Sequence, residues 1–129
     1  MQLLRARSTV IVDSPTQNPF VKRATPPPMI PVEAHLRRAG WKSVLDEPLI
    51  KTTPLFKTTA FMFKHPNGDR TLHVNVYDFY EEQYAIDEQE RRIVADPAYG
   101  VRRRGNRLVV VDADNRHAEA QAIAAQLLP

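Results

Sequence analysis

The chain has 129 residues, 43% of them hydrophobic and 26% charged, with no cysteine and a formal net charge of +3. That length holds one core plus a tail, and the composition is that of a folded, water-facing protein. No apolar run approaches the roughly 18–20 residues of a membrane-spanning helix, and the lack of cysteine removes disulfides, thiolate nucleophiles and cysteine-containing zinc sites together.

The charge is unevenly placed. Residues 1–31 carry Arg5, Arg7, Lys22 and Arg23 against Asp13, a net +3, whereas residues 32–129 carry 14 basic and 14 acidic side chains. A neutral body has little net field with which to steer toward phosphate. Residues 13–31, DSPTQNPFVKRATPPPMIP, hold six of the eleven prolines, which fix φ and remove amide donors and so favour an extended course. The chain therefore divides into a basic, proline-rich extended arm, 1–31, and a single α+β domain, 32–129. Within the arm, Thr9 to Val12 suits one short strand. Arms of this composition order against a partner, which makes Ile11, Val12, Phe20, Lys22, Arg23, Met29 and Ile30 the expected partner-binding residues. The start, MQLLRARSTVIVD, does not have the pattern of a signal peptide, so the expected setting is cytoplasmic or virion-internal, without membrane insertion.

After the arm, a helix is expected from Pro31 to Ala39, with proline in its first turn and Gly40 as the left-handed residue that ends it. Val32, Leu36 and Ala39 share a face, and Trp41 is expected to fold back on it. TTAFMFKHPNGDRTLHVNVYDF predicts a hairpin turning at Asn67-Gly68, because that pair accepts the positive φ of a type I′ turn. Its register sets Phe63 opposite Leu72, Phe61 opposite Val74 and Thr59 opposite Val76. Asp78, with Glu81 three residues on, reads as the cap of a helix over 79–94 that stops at Asp96-Pro97.

YGVRRRGNRLVVV (Tyr99 to Val111) predicts a second hairpin turning at Gly105-Asn106, with Arg104 opposite Arg107 and Arg103 opposite Leu108. LVVV is apolar on both faces, the mark of an inner strand. A last helix is expected to begin after a cap at Asp114 or Asn115 and to run to Leu128, with Ala120, Ile123 and Leu127 inward. The predicted fold is α+β: a two-layer antiparallel sheet built from two β-hairpins, each followed by a helix, with an N-terminal helix and the arm.

Little chemistry is visible. Ser8, Ser14 and Ser43 lack a nucleophile context, and Gly40, Gly68, Gly100 and Gly105 are too scattered to cradle a phosphate. No pair among His35, His65, His73 and His117 has metal-ligand spacing. Asp78, Glu81 and Glu82 are explained by a helix start without invoking acid–base work. No catalytic residue, metal or cofactor is expected.

LRRAGW followed by FKHPNGDRTLHV, within Leu36 to Val74, is similar to the opening of the small HicA-type toxins, a resemblance that would imply a double-stranded-RNA-binding-like fold and cleavage of messenger RNA. Thr58-Thr59-Ala60 stands where that family has its Gly-Ser-His triplet, so the activity does not carry over.

The expected function is a non-catalytic binding or structural subunit that docks in a larger protein assembly through its arm, with a protein partner or a second copy of the chain. The alternative is an RNA- or DNA-binding accessory protein using Arg102, Arg103, Arg104 and Arg107 together with the basic arm.

Overall fold

The computed structural model describes residues 24–95 and 97–129. In chain order the elements are α1 (Val32–Arg38), β1 (Lys42–Ser43), β2 (Leu49–Thr52), β3 (Phe56–Lys64), β4 (Thr71–Phe79), α2 (Glu82–Ala95), β5 (Gly100–Arg104), β6 (Arg107–Asp112) and α3 (His117–Leu127). The six strands form one antiparallel sheet in the order β1-β3-β4-β6-β5, with β2 also paired to β3. The chain is thus α+β.

The register of β3 on β4 is the expected one, with Phe63 opposite Leu72 and Phe61 opposite Val74, but the turn is not type I′. Neither Asn67 nor Gly68 has positive φ, and the His65 amide donates to the Arg70 carbonyl around a longer loop. The register of β5 on β6 is also the expected one, with Arg104 opposite Arg107. Alternation along the strands then sorts side chains onto two faces. Leu72, Val74, Val76, Val109 and Val111 point to one face, where Leu36 of α1, Trp41, and Ile123 and Leu127 of α3 cover them. Leu108, Val110, Val101 and Phe79 point to the other face, where Ala85 of α2 lies.

The sheet therefore has a core on each side, and the two-layer expectation gives way to helices on both faces. The physical reason is the double-sided apolarity of Leu108 to Val111, all four fully or nearly fully buried.

Two helix starts differ from expectation. Strand β4 continues through Phe79, and Asp78 is not a cap but the cross-strand neighbour of Arg107. Arg107 donates to the Asp78 carboxylate through Nε at 2.5 Å and through a terminal nitrogen at 3.2 Å. That two-pronged ion pair holds the ladder together past the point where a capping box would have begun a helix.

At the other start, Asp114 and Asn115 both adopt left-handed backbone, with φ of 51° and 66°, a conformation these two residue types tolerate better than most. The Asp114 carboxylate accepts hydrogen bonds from the Thr71 amide (2.7 Å) and hydroxyl (2.8 Å). It ties β4 to the β6–α3 connection, and the helix begins later, at His117.

α1 follows the sequence closely. Pro31 is its N-cap, Gly40 has φ of 101°, and the Trp41 amide donates to the Leu36 carbonyl so that the indole packs onto the helix face. α3 lies close against β5: a Cβ on Gly100 would stand 2.2 Å from the Ala120 carbonyl oxygen, so only glycine permits this approach.

Residues 24–30 run along the body. The Ala24 amide donates to the Tyr80 carbonyl, and the Ile30 amide donates to the Leu127 carbonyl. Asn106, 2% exposed, donates its side-chain amide to the carbonyls of Phe79 and Ala24.

Candidate functional site at the sheet edge

The arginine hairpin, the alternative binding site, makes its bonds within the fold. Arg102 donates through Nε to the Leu128 carbonyl (2.8 Å), and Arg104 donates through Nε to the Pro129 carbonyl (2.9 Å). Both sit at the C-terminal end of α3, where carbonyls lack intrahelical partners and cations are favoured. Arg103 donates to Gln89 of α2 and to the Gly105 carbonyl, and lies 3.4 Å from Glu82. Arg107 adds the Pro27 carbonyl (2.8 Å) to its bonds with Asp78. Each guanidinium thus has at least one donor committed within the fold.

Of the expected arm residues, Ile11, Val12, Phe20, Lys22 and Arg23 lie outside the described residues. Met29 packs against the core shared with α3, and the Ile30 backbone is bonded to Leu127.

Among the described residues no three His, Asp or Glu side chains are placed to hold a metal ion. His65 meets Trp41 edge to face, and His35 is 2.9 Å from the Gln126 side-chain oxygen. No helix among the described residues is long and apolar enough to cross a membrane.

The most connected cluster is Tyr77, Glu88 and Arg92. Arg92 lies over the Tyr77 ring, donates to its hydroxyl at 2.9 Å, and donates to Glu88 at 2.7 Å. Burial alone would raise the Glu88 carboxyl, but hydrogen bonds from Arg92 and Arg91 outweigh it and hold the group below the usual glutamate range. This is a brace between α2 and β4.

Among the described residues large apolar side chains are exposed in two places, on α2 (Tyr84, Ile93 and Val94) and at the β2 edge. β1 and β2 both pair with the same side of β3, with registers that differ by three residues, so 42–52 is one edge strand interrupted by a loop. In β2 all four residues are exposed, Leu49 at 62% and Ile50 at 64%. These two neighbours point to opposite faces, so the strand is apolar on both sides. Val44 and Leu55 are exposed beside it.

The hydrogen-bond phase of the edge follows from its turn. The Thr53 amide donates to the Phe56 carbonyl, which makes 53 and 56 a bonded pair. Bonded and non-bonded pairs alternate in antiparallel ladders, so Leu49 and Lys51 direct their amides and carbonyls to β3. Ile50 and Thr52 direct theirs outward, and no strand among the described residues meets them. On the α2 side the strand borders a shallow hollow of about 320 Å³ lined by Leu49, Ile50, Lys51, Phe56, Thr58, Ala60 and Tyr77. It has an apolar floor and one cation, Lys51, at its rim.

The opposite edge is capped at Val101. Gln121 of α3 accepts from the Val101 amide and donates to the Val101 carbonyl, both at 3.1 Å, taking the place of a further strand. Neither edge was marked in the sequence as a site. The nearest signal for β2 is the apolar pair Leu49-Ile50 bracketed by Pro48 and Pro54.

Comparison with protein-family models, with curated proteins and with solved structures finds no match to this chain.

Proposed function

We propose that this protein is a non-catalytic binding or structural subunit that docks in a larger protein assembly, using the residues that precede Ala24 and the β2 edge. The observation that carries the reading is the contrast between the bare, two-sided apolar edge at Leu49 and Ile50 and the paired polar groups of the body. Exposed apolar surface next to unpaired strand edges is the usual form of a protein-contact site. The committed donors of Arg102, Arg103, Arg104 and Arg107 weigh against the nucleic-acid alternative.

The test is purification of the full chain at native concentration, beside a full-length variant with Ile11, Val12 and Phe20 changed to serine. Loss of the associated protein in the variant, with an unchanged circular dichroism spectrum, is the expected result. Association that survives the change removes the arm from the reading. Recovery of nucleic acid instead, bound with an affinity that falls steeply with salt, reverses the order of the two functions.

A further inference from the structure

We propose that β2 is a self-association edge, pairing antiparallel with β2 of a second copy about a two-fold axis through Ile50. This names a partner for the docking reading above and rests on it, but its test involves a different surface.

Four observations lead to the second copy. First, the outward groups of Ile50 suit a two-fold: in a register that places Ile50 opposite itself, each Ile50 amide meets the other Ile50 carbonyl. Second, the charges around the strand are self-complementary. Asp46 and Glu47 precede it and Lys51 lies within it, all exposed. With Ile50 opposite itself, Lys51 faces Leu49 of the other copy and has that copy's Glu47, as well as its Lys51, one diagonal step away on the same face. An axis through Lys51 would instead set two ammonium groups directly opposite, which is unfavourable.

Third, Leu49 and Ile50 are both exposed although they face opposite sides of the sheet, so only an element that continues the sheet covers both at once. A helix or loop laid on one face would leave the other residue in water. Fourth, the pairing closes. Pro48 and Pro54 bracket the strand and limit how far a ladder can extend, while Gln121 caps the β5 edge at Val101. Among the described residues β2 is the sheet edge with large exposed apolar side chains, and two molecules paired through it cover it. The body itself, residues 32–129, carries no net charge to oppose the approach.

A four-residue ladder is a small interface, so association is expected in the micromolar range. Sedimentation of the full chain across roughly 5–200 µM should show a monomer–dimer equilibrium. Ile50→Lys, at an exposed position, should weaken it at least about tenfold by opposing like charges. Lys51→Glu should weaken it too, and adding Glu47→Lys should restore it, because the swap rebuilds the same pair with its signs exchanged.

Because the chain has no cysteine, Ile50→Cys supplies a single thiol, and a short bis-maleimide should link two chains through it. A monomer throughout the range overturns the proposal, as does a dimer that Ile50→Lys leaves intact. A dimer lost on substituting Ile11, Val12 and Phe20 but kept in Ile50→Lys assigns the association to the leading segment and also overturns it.

Discussion

At the β5 edge, a glutamine side chain imitates a peptide group: Gln121 accepts from one backbone amide and donates to one carbonyl of Val101, while α3 lies so close that Gly100 has no room for a Cβ. At the β2 edge nothing among the described residues does this for Ile50 and Thr52, and two large apolar side chains stand in water. Free strand edges invite pairing, and proteins blunt them with charges, prolines or a covering element. Here one edge is covered, whereas the other has Lys51 and flanking prolines but keeps its apolar residues. The difference teaches that β2 lacks the side-chain cap that Val101 has; the large apolar residues left exposed elsewhere, Tyr84, Ile93 and Val94, lie on α2 and not at a sheet edge.

Substitutions sharpen the contrast. The largest effect is expected inside the covered half. Leu108→Ala, at a fully buried position beneath α2, should cost about 2–5 kcal/mol in urea unfolding. Ile50→Ala at the open edge should stay within about 0.5 kcal/mol. Comparable losses at the two positions would mean that β2 is buried in the working protein.

Next comes Gln121→Leu, which leaves the Val101 amide and carbonyl unpartnered. It should cost about 1–3 kcal/mol and, by opening the second edge, convert limited association into concentration-dependent oligomers visible by light scattering. A monodisperse variant of unchanged stability would show that Gln121 does not guard that edge.

The smallest effect concerns acid. The Thr71 amide and hydroxyl hold the Asp114 carboxyl below the usual aspartate range. A depressed carboxylate contributes stability that is present above its unfolded pKa of about 3.9 and is lost as pH falls through its folded value. Asp114→Asn should therefore lose less stability than the parent when urea midpoints at neutral pH and below about pH 4 are compared. Equal losses would assign the acid sensitivity to other groups, Glu88 among them, since it too is held below its usual range.

The features legible in the sequence were those with local causes. Asn67-Gly68 and Gly105-Asn106 sit at the turns between paired strands, and the alternating residues around them set the registers seen in β3–β4 and β5–β6. LVVV marks burial on both faces, which a two-layer fold cannot supply and which α2 and α3 provide from opposite sides.

What was missed depends on distant partners. Asp78 has the local look of a cap, and its role is decided by Arg107, twenty-nine residues on. Asp114 likewise answers to Thr71 across the sheet. β1 and β2 were not foreseen because Leu49-Ile50 shows no alternation and Pro48 and Pro54 signal loops. The candidate site was therefore the least legible part. An edge is defined by what fails to lie beside it, and no residue pattern encodes that directly.

Ala24 is anchored next to the turn that leads out of the open strand. Ala24 bonds to the Tyr80 carbonyl, and the Tyr80 amide donates to Leu55, in the turn that joins β2 to β3. The described chain thus begins two hydrogen bonds from the turn that joins β2 to β3. A ligand gripped both there and along β2 would hold through two linked contacts, and such contacts bind more tightly together than either alone.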